Sequence, residues 1–232
     1  MSVQVDTIVR PRLLDLFCCA GGAGMGYARA GFDVVGVDIN PQPRYPFEFY
    51  QGDALDFLRE HGKEFDAIHS SPPCQHYSVA SKAHNGNAGA HPGLVPVVRN
   101  ILQAIGRPWI IENVIGAPLR NPVVLCGTMF DGLRVIRHRQ FESSEVLTAP
   151  GECGPHPLCY TMDKRKPHYG KLDEMKAFVM VNGGGNCSKA AAADAMGIDW
   201  MTKNELNEAI PPAYTEYLGW QLRAALMLRQ VA

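Results

Sequence analysis

No apolar run in the 232 residues approaches the roughly 20 that a membrane-spanning helix needs, so no membrane role is expected. The first eleven residues lack the long apolar core of a secretory leader. Neither charge is in excess: 22 Lys and Arg stand against 23 Asp and Glu, leaving a net −1. A nucleic-acid surface must therefore be a local patch rather than a property of the whole chain. Long low-complexity runs are missing, and at 46% hydrophobic content the chain is long enough to bury the core of one full-sized domain. Seven cysteines, an odd number without a leader, point to a reducing, cytoplasmic compartment with thiols free for chemistry or metal.

What is present begins at residues 13–17, a strand-length apolar run, followed abruptly by Cys18-Cys19-Ala20-Gly21-Gly22-Ala23-Gly24-Met25-Gly26. Helical spacing over residues 27–30, Gly31 suited to end a helix, and a second strand over residues 34–38 complete a βαβ unit. Glycines let backbone approach a ligand closely, and Asp38 at a strand end suits the two hydroxyls of a ribose. The glycines do not follow the G-x-G-x-x-G order, and no Lys or Arg follows to meet a pyrophosphate. A cofactor with a ribose but no phosphates fits this turn better than a dinucleotide. A third strand over residues 47–50 leads to Asp53, placed either to accept an adenine amino group or to cap the helix over residues 54–60.

Residues 65–69 read as a buried parallel strand running into Ser70-Ser71-Pro72-Pro73-Cys74-Gln75-His76. Two prolines fix φ twice and remove two donors, so Cys74 stands on a stiff turn at the carboxyl end of a strand, where open α/β sheets bind ligands. The alternative, an inert cysteine behind a rigid turn, loses weight through the neighbouring stretches. Residues 76–93 carry little periodicity and read as a lid closing beside Cys74. A helix from Pro96 to about residue 105 precedes a buried strand, Pro108-Trp109-Ile110-Ile111-Glu112-Asn113-Val114, which in a parallel sheet sets Glu112 beside Cys74.

These pieces, in this order, resemble the S-adenosylmethionine-dependent cytosine-C5 DNA methyltransferases. Asp15-Leu16-Phe17-Cys18-Cys19-Ala20-Gly21-Gly22 is similar to their first motif, and Val37-Asp38 and Gly52-Asp53 fall where their ribose and adenine contacts lie. Pro72-Pro73-Cys74-Gln75 matches their catalytic motif, Glu112-Asn113-Val114 their Glu-Asn-Val motif, and Arg137-His138-Arg139 the paired arginines that follow. Asn207-Glu208-Ala209-Ile210-Pro211-Pro212 resembles the last motif, which returns to complete the cofactor pocket.

The resemblance implies S-adenosyl-L-methionine held by Phe17, Cys18, Ala20, Gly21, Gly22, Gly24, Asp38, Ile39, Asp53, Ala54, Pro73 and Ala209. It implies Cys74 as the nucleophile that adds to cytosine C6, Glu112 as donor to ring N3, and Arg139, with Arg137 beside it, holding the carbonyl oxygen and helping to keep the thiol ionised. Gln75, Ser78 and Asn113 are implied substrate contacts. The chain departs from the pattern at Cys19, where glycine is usual, at Asp38 for glutamate, at Val135 for glutamine and at Glu208 for asparagine.

The expected fold is α/β, a mostly parallel sheet with helices on both faces, of the Rossmann-like class I methyltransferase type with a small recognition insert. The expected division is a core at 1–142, an insert at 143–195 and a returning segment at 196–232. The insert is short for a target recognition region. Within it residues 160–171, including Lys164, Arg165 and Lys166, are basic with aromatics interleaved, a surface suited to phosphates as well as to plain solvation. Cys153, His156, Cys159 and His168 have spacings open to zinc, but the series departs from a standard finger and three prolines interrupt it, so no metal is assigned. DNA is the expected partner, with a cognate restriction nuclease compatible and a monomer expected. The rival readings are the same chemistry on RNA or a free cytosine nucleotide, and a non-catalytic protein binding DNA or cofactor.

Overall fold

A computed structural model describes residues 9–77, 93–182 and 186–231. The first half of the chain alternates β1 (Arg12–Leu16), α1 (Gly22–Arg29), β2 (Asp33–Asp38), β3 (Glu48–Gln51), α2 (Ala54–His61), β4 (Ala67–Ser70), α3 (Val95–Ile105) and β5 (Trp109–Asn113). Then come β6 (Val123–Leu125), β7 (Arg139–Ser143), α4 (Lys189–Met196), α5 (Lys203–Glu208) and α6 (Pro212–Val231). The seven strands lie in the order β3-β2-β1-β4-β5-β7-β6. β1 to β5 are mutually parallel, and β7 runs antiparallel to both its neighbours, β5 and β6.

β1, β2, β4 and β5, the central strands, are buried on both faces, which explains their apolar runs. Leu13 of β1 and Ile110 of β5 face a core closed by α1 and α6, with Tyr27, Tyr214, Leu218 and Leu222. Leu14, Leu16 and Ile111 face the opposite core, closed by α2 and α3 through Leu58, Val98 and Leu102. The expected mostly parallel sheet with helices on both faces is therefore present. A third cluster gathers Val179, Val181, Ala191, Ala192, Ala195 and Met196 around α4 and packs them against Ala20 of the glycine-rich turn and Val135.

Two close approaches set the frame. A Cβ on Gly26 would lie 2.1 Å from the Pro212 carbonyl oxygen, so only glycine lets α6 cross α1 here. Across the sheet, Arg99 of α3 grips Glu142 of β7 through Nε–Oε1 at 2.6 Å and Nη2–Oε2 at 2.7 Å, with both side chains 4% exposed. The Arg120 backbone N–H donates to the same carboxylate at 2.8 Å.

α1 starts at Gly22, five residues before the helical spacing shows in the sequence, because three of its first five residues are glycines without side chains to mark a face. Gly31, at φ 94°, follows the last turn as expected. Most of the lid expected over 76–93, including Ser78, lies outside the described residues. Among the described residues no helix is long and apolar enough to cross a membrane.

Candidate active site

The turn after β1 is built on unusual backbone. Phe17, Cys19 and Gly21 take φ values of 57°, 45° and 84°, all left-handed. Cys18 N–H donates to the Val37 carbonyl at 3.2 Å and Gly21 N–H to the Cys18 carbonyl at 3.0 Å, fastening the turn to β2. Segment 207–210 lies directly on it: a Cβ on Gly22 would meet the Ile210 carbonyl oxygen at 2.5 Å. Trp200 Nε1 donates to the Ala20 carbonyl at 2.8 Å and closes the other side.

Two acids border this turn. Asp38, at the end of β2, accepts from Cys19 N–H at 3.0 Å through Oδ2 and from Asn40 N–H at 2.9 Å through Oδ1. Asp15 is fully buried, and the Tyr45 hydroxyl donates to its Oδ2 at 3.2 Å, while Oδ1 has no hydrogen-bond partner among the described residues. Burial above all, with the charge of Asp38 adding and the Tyr45 hydrogen bond opposing, pushes its carboxyl up to about 8. Asp53 caps α2, its Oδ1 accepting from Leu55 N–H at 2.8 Å and Asp56 N–H at 3.0 Å, so the capping role weighed from the sequence is present, and the residue also borders the cavity.

The second half of the site comes from the ends of β4, β5 and β7. Ser70 and Ile111 are register partners, so the Cys74 turn and Glu112 leave the sheet at the same edge, and Arg139 enters β7 there because that strand is antiparallel. Asn113 Nδ2 donates to the Pro72 carbonyl at 2.8 Å, and its Oδ1 accepts from Val114 N–H at 3.0 Å. Asn113 is thus a buried brace for the cysteine turn and does not line the cavity as a substrate contact.

Arg139 Nε lies 3.0 Å from Glu112 Oε1 as an ion pair, but off the line of a hydrogen bond, so that oxygen has no hydrogen-bond donor among the described residues. Burial raises the Glu112 carboxyl, outweighing Arg139, a hydrogen bond from Ser71 and Arg137, which all favour the anion. Behind it runs a buried relay in which the Tyr27 hydroxyl meets His69 Nδ1 at 3.0 Å and His69 Nε2 meets Ser71 Oγ at 2.9 Å. Burial lowers His69 to about 3, so the imidazole is neutral.

The arginines expected to help keep Cys74 ionised act in that direction, but they do not prevail. Arg139 and Arg137 do favour the thiolate, but burial first and Glu112 second outweigh them and raise the thiol above its ordinary value. Arg137 is also occupied elsewhere. Its guanidinium is buried and donates to the Val181 carbonyl and, at 2.8 Å, to the Asn207 carbonyl, which ties both of these segments to the stretch leading into β7.

A single cavity of about 540 Å³ joins the two halves. It is bordered by Cys74, Glu112, Arg137, Arg139 and Gln75, and by Phe17, Cys18, Ala20, Gly22, Asp38, Ile39, Asp53, Ala54, Pro73 and Ala209. Gly21 and Gly24 shape the turn without lining the cavity. Lys164, Arg165 and Lys166 are exposed and do not line the cavity, and Arg165 is paired with Asp163 at 2.8 Å. Sequence reasoning missed Asp15, Tyr45, His69 and Ser71. For Asp15 the signals were an acid inside an otherwise apolar strand and its place at the head of the stretch similar to the family's first motif. Of the four residues open to zinc, Cys153 and His156 come together with Cys126 and His138, whereas Cys159 and His168 lie outside that group.

A mostly parallel sheet, a glycine-rich turn after β1 and an acid at the end of β2 define the class I methyltransferase fold. The S. pombe Dnmt2 methyltransferase shares it with a TM-score of 0.59 over 94% of this chain and 99% of that one, at 14% identity. The family profile of C-5 cytosine-specific DNA methylases matches residues 11–121. Type II methyltransferase M.HgiGI of Herpetosiphon aurantiacus is 31% identical over 117 residues, 44% of this chain and 90% of that one. Type II methyltransferase M.XorII of Xanthomonas oryzae pv. oryzae is 30% identical over 161 residues, 61% of this chain and 33% of that one. The chain belongs to the C-5 cytosine-specific DNA methylase family. Its match covers only about a third (33%) of the length of M.XorII.

Proposed function

We propose that this chain transfers a methyl group from S-adenosyl-L-methionine to C5 of cytosine in DNA. The observation that carries the reading is that Cys74, Glu112 and Arg139, from three separate stretches, border the same cavity as Asp15 and Asp38. The donor set suits this cofactor. Asp38 offers acceptors to a ribose, the unpartnered Oδ1 of Asp15 offers one to a cationic amino-acid end, and Phe17, Ile39, Ala54 and Pro73 supply apolar walls. When bound, the cofactor supplies an electrophilic methyl on a sulfonium.

Cys74 does the work that cytosine C5 cannot do unaided. Its thiol gives up a proton and the sulfur adds to C6, which makes C5 nucleophilic. Negative charge develops on the ring, and Glu112, held towards its protonated form by burial, donates to N3 as that charge appears. Arg139 holds the carbonyl oxygen of the base while paired with Glu112. Once C5 carries the methyl, its remaining proton is lost to a base, the C6–S bond breaks, Cys74 leaves as a thiolate and the ring is restored. The base must leave the duplex to reach Cys74. The exposed residues Lys164 and Lys166, with Arg165, are assigned to the phosphate backbone, and Gln75 and Ser78 to the region around the base. The division into a core at 1–142, an insert at 143–195 and a returning segment at 196–232 belongs to this proposal. The Type II naming of the relatives favours a restriction–modification setting, with a cognate nuclease as partner.

The test is transfer of labelled methyl to duplex DNA, single-stranded DNA, RNA and dCMP by the wild type and Cys74→Ala. Label on cytosine C5 of DNA that disappears in Cys74→Ala, with cofactor binding retained, is expected. Label on RNA or dCMP alone would overturn the substrate, and cofactor binding without any label would leave a binding protein.

A further inference from the structure

We propose that Cys126, His138, Cys153 and His156 hold a structural zinc ion that ties the insert to the strand carrying Arg139. The four candidate ligand atoms all lie within 4.8 Å of one another. Cys153 Sγ is 3.4 Å from His138 Nε2 and 3.1 Å from His156 Nε2, and Cys126 Sγ is 3.6 Å from His156 Nε2. With Zn–S near 2.3 Å and Zn–N near 2.05 Å, a tetrahedron places sulfur and nitrogen about 3.6 Å apart. The three sulfur–nitrogen distances are thus close to those of a metal-bound cluster.

Hydrogen bonding does not account for the convergence. Thiols are weak donors and weak acceptors, and two of them meeting two imidazoles gain little from one another. As metal ligands the same four side chains are well matched, because thiolate and imidazole together favour zinc in tetrahedral geometry. On binding, Cys126 and Cys153 each lose a thiol proton to solvent, and the two thiolates neutralise the dication while both imidazoles stay neutral. Four protein ligands leave no open position, so the ion is structural.

The placement says what it would hold. Leu125 at the end of β6 is the register partner of Arg139 at the start of β7, so Cys126 and His138 stand side by side where the two strands meet the cavity edge. Cys153 and His156 arrive from the insert as a Cys-x-x-His pair on an exposed stretch that has no regular secondary structure. Without a metal, few contacts would fix this stretch against the strands.

This inference stands apart from the methyl-transfer reading, since its test requires no activity. The full chain is purified under reducing conditions without chelator, and its metal is measured by mass spectrometry, with about one zinc per chain expected. Exchange with Co²⁺ should give visible d–d bands and a thiolate-to-cobalt charge-transfer band. Cys153→Ser, at an exposed position, should lose the zinc and the charge-transfer intensity, whereas Cys159→Ser should keep both. Circular dichroism verifies that each variant is folded. A chain with neither zinc nor a cobalt spectrum would overturn the proposal, as would a Cys126–Cys153 disulfide in the fresh protein or zinc loss in Cys159→Ser but not in Cys153→Ser.

Discussion

Cys19 sits at φ 45°, a conformation that costs a residue with a Cβ about 1–2 kcal/mol. The turn holds it there because its N–H donates to Asp38 Oδ2, which fixes the acid at the end of β2. Glycine would keep that hydrogen bond without the strain, at some cost in chain entropy. Cys19→Gly is therefore expected to stabilise the protein by about 0.5–1 kcal/mol in urea unfolding. A net loss would mean that the packing of the side chain outweighs the backbone. Cys74 and Glu112 were legible because each sits at the end of an apolar strand beside distinctive neighbours. The state of the Cys74 thiol was not legible, since it depends on burial, Glu112 and two arginines arriving from 38 to 65 residues away. The grouping of Cys126 and His138 was hidden for a related reason, because only the pairing of β6 with β7 makes them neighbours.

At the scale of elements, the parallel strands showed in the sequence because burial on both faces leaves unbroken apolar runs, as in Leu13-Leu14 and Trp109-Ile110-Ile111. β7 gave no such signal. Its five residues, Arg-Gln-Phe-Glu-Ser, include one large apolar side chain, and the charge of the buried Glu142 is paired by Arg99 from 43 residues earlier. That pair makes a clear prediction. Arg99→Met strands a buried carboxylate and should cost about 3–5 kcal/mol, whereas Arg99→Met with Glu142→Leu removes both charges and should recover most of the loss. Urea unfolding of both single variants and the double variant checks this. A double variant no more stable than Arg99→Met would mean that the backbone contacts of the pair, to Arg120 N–H and the Pro118 carbonyl, matter more than the charge.

At the scale of the whole molecule, two buried groups set opposing responses to pH. His69, at about 3 against 6.5 in the unfolded chain, binds its proton more readily unfolded, so its contribution to stability falls as pH drops from 6.5 to 3. Asp15, at about 8 against 3.8, is protonated in the folded state, so its contribution falls as pH rises from 3.8 to 8. Each slope is about 1.4 kcal/mol per pH unit. Between roughly pH 4 and 6.5 the two cancel, and from 6.5 to 8 Asp15 alone should withdraw about 2 kcal/mol. Asp15→Asn should abolish that decline and expose the His69 slope below pH 6.5, which denaturant titrations at a series of pH values would show. The same linkage reaches the proposed cofactor. If a cationic group seats on Asp15 Oδ1, it favours the carboxylate, and the wild type must release a proton as S-adenosylmethionine binds at pH 7. Calorimetry in two buffers of different ionisation enthalpy should report that release for the wild type and not for Asp15→Asn. Equal heats in both buffers for the wild type would mean that Asp15 keeps its proton and that the cationic end is held elsewhere.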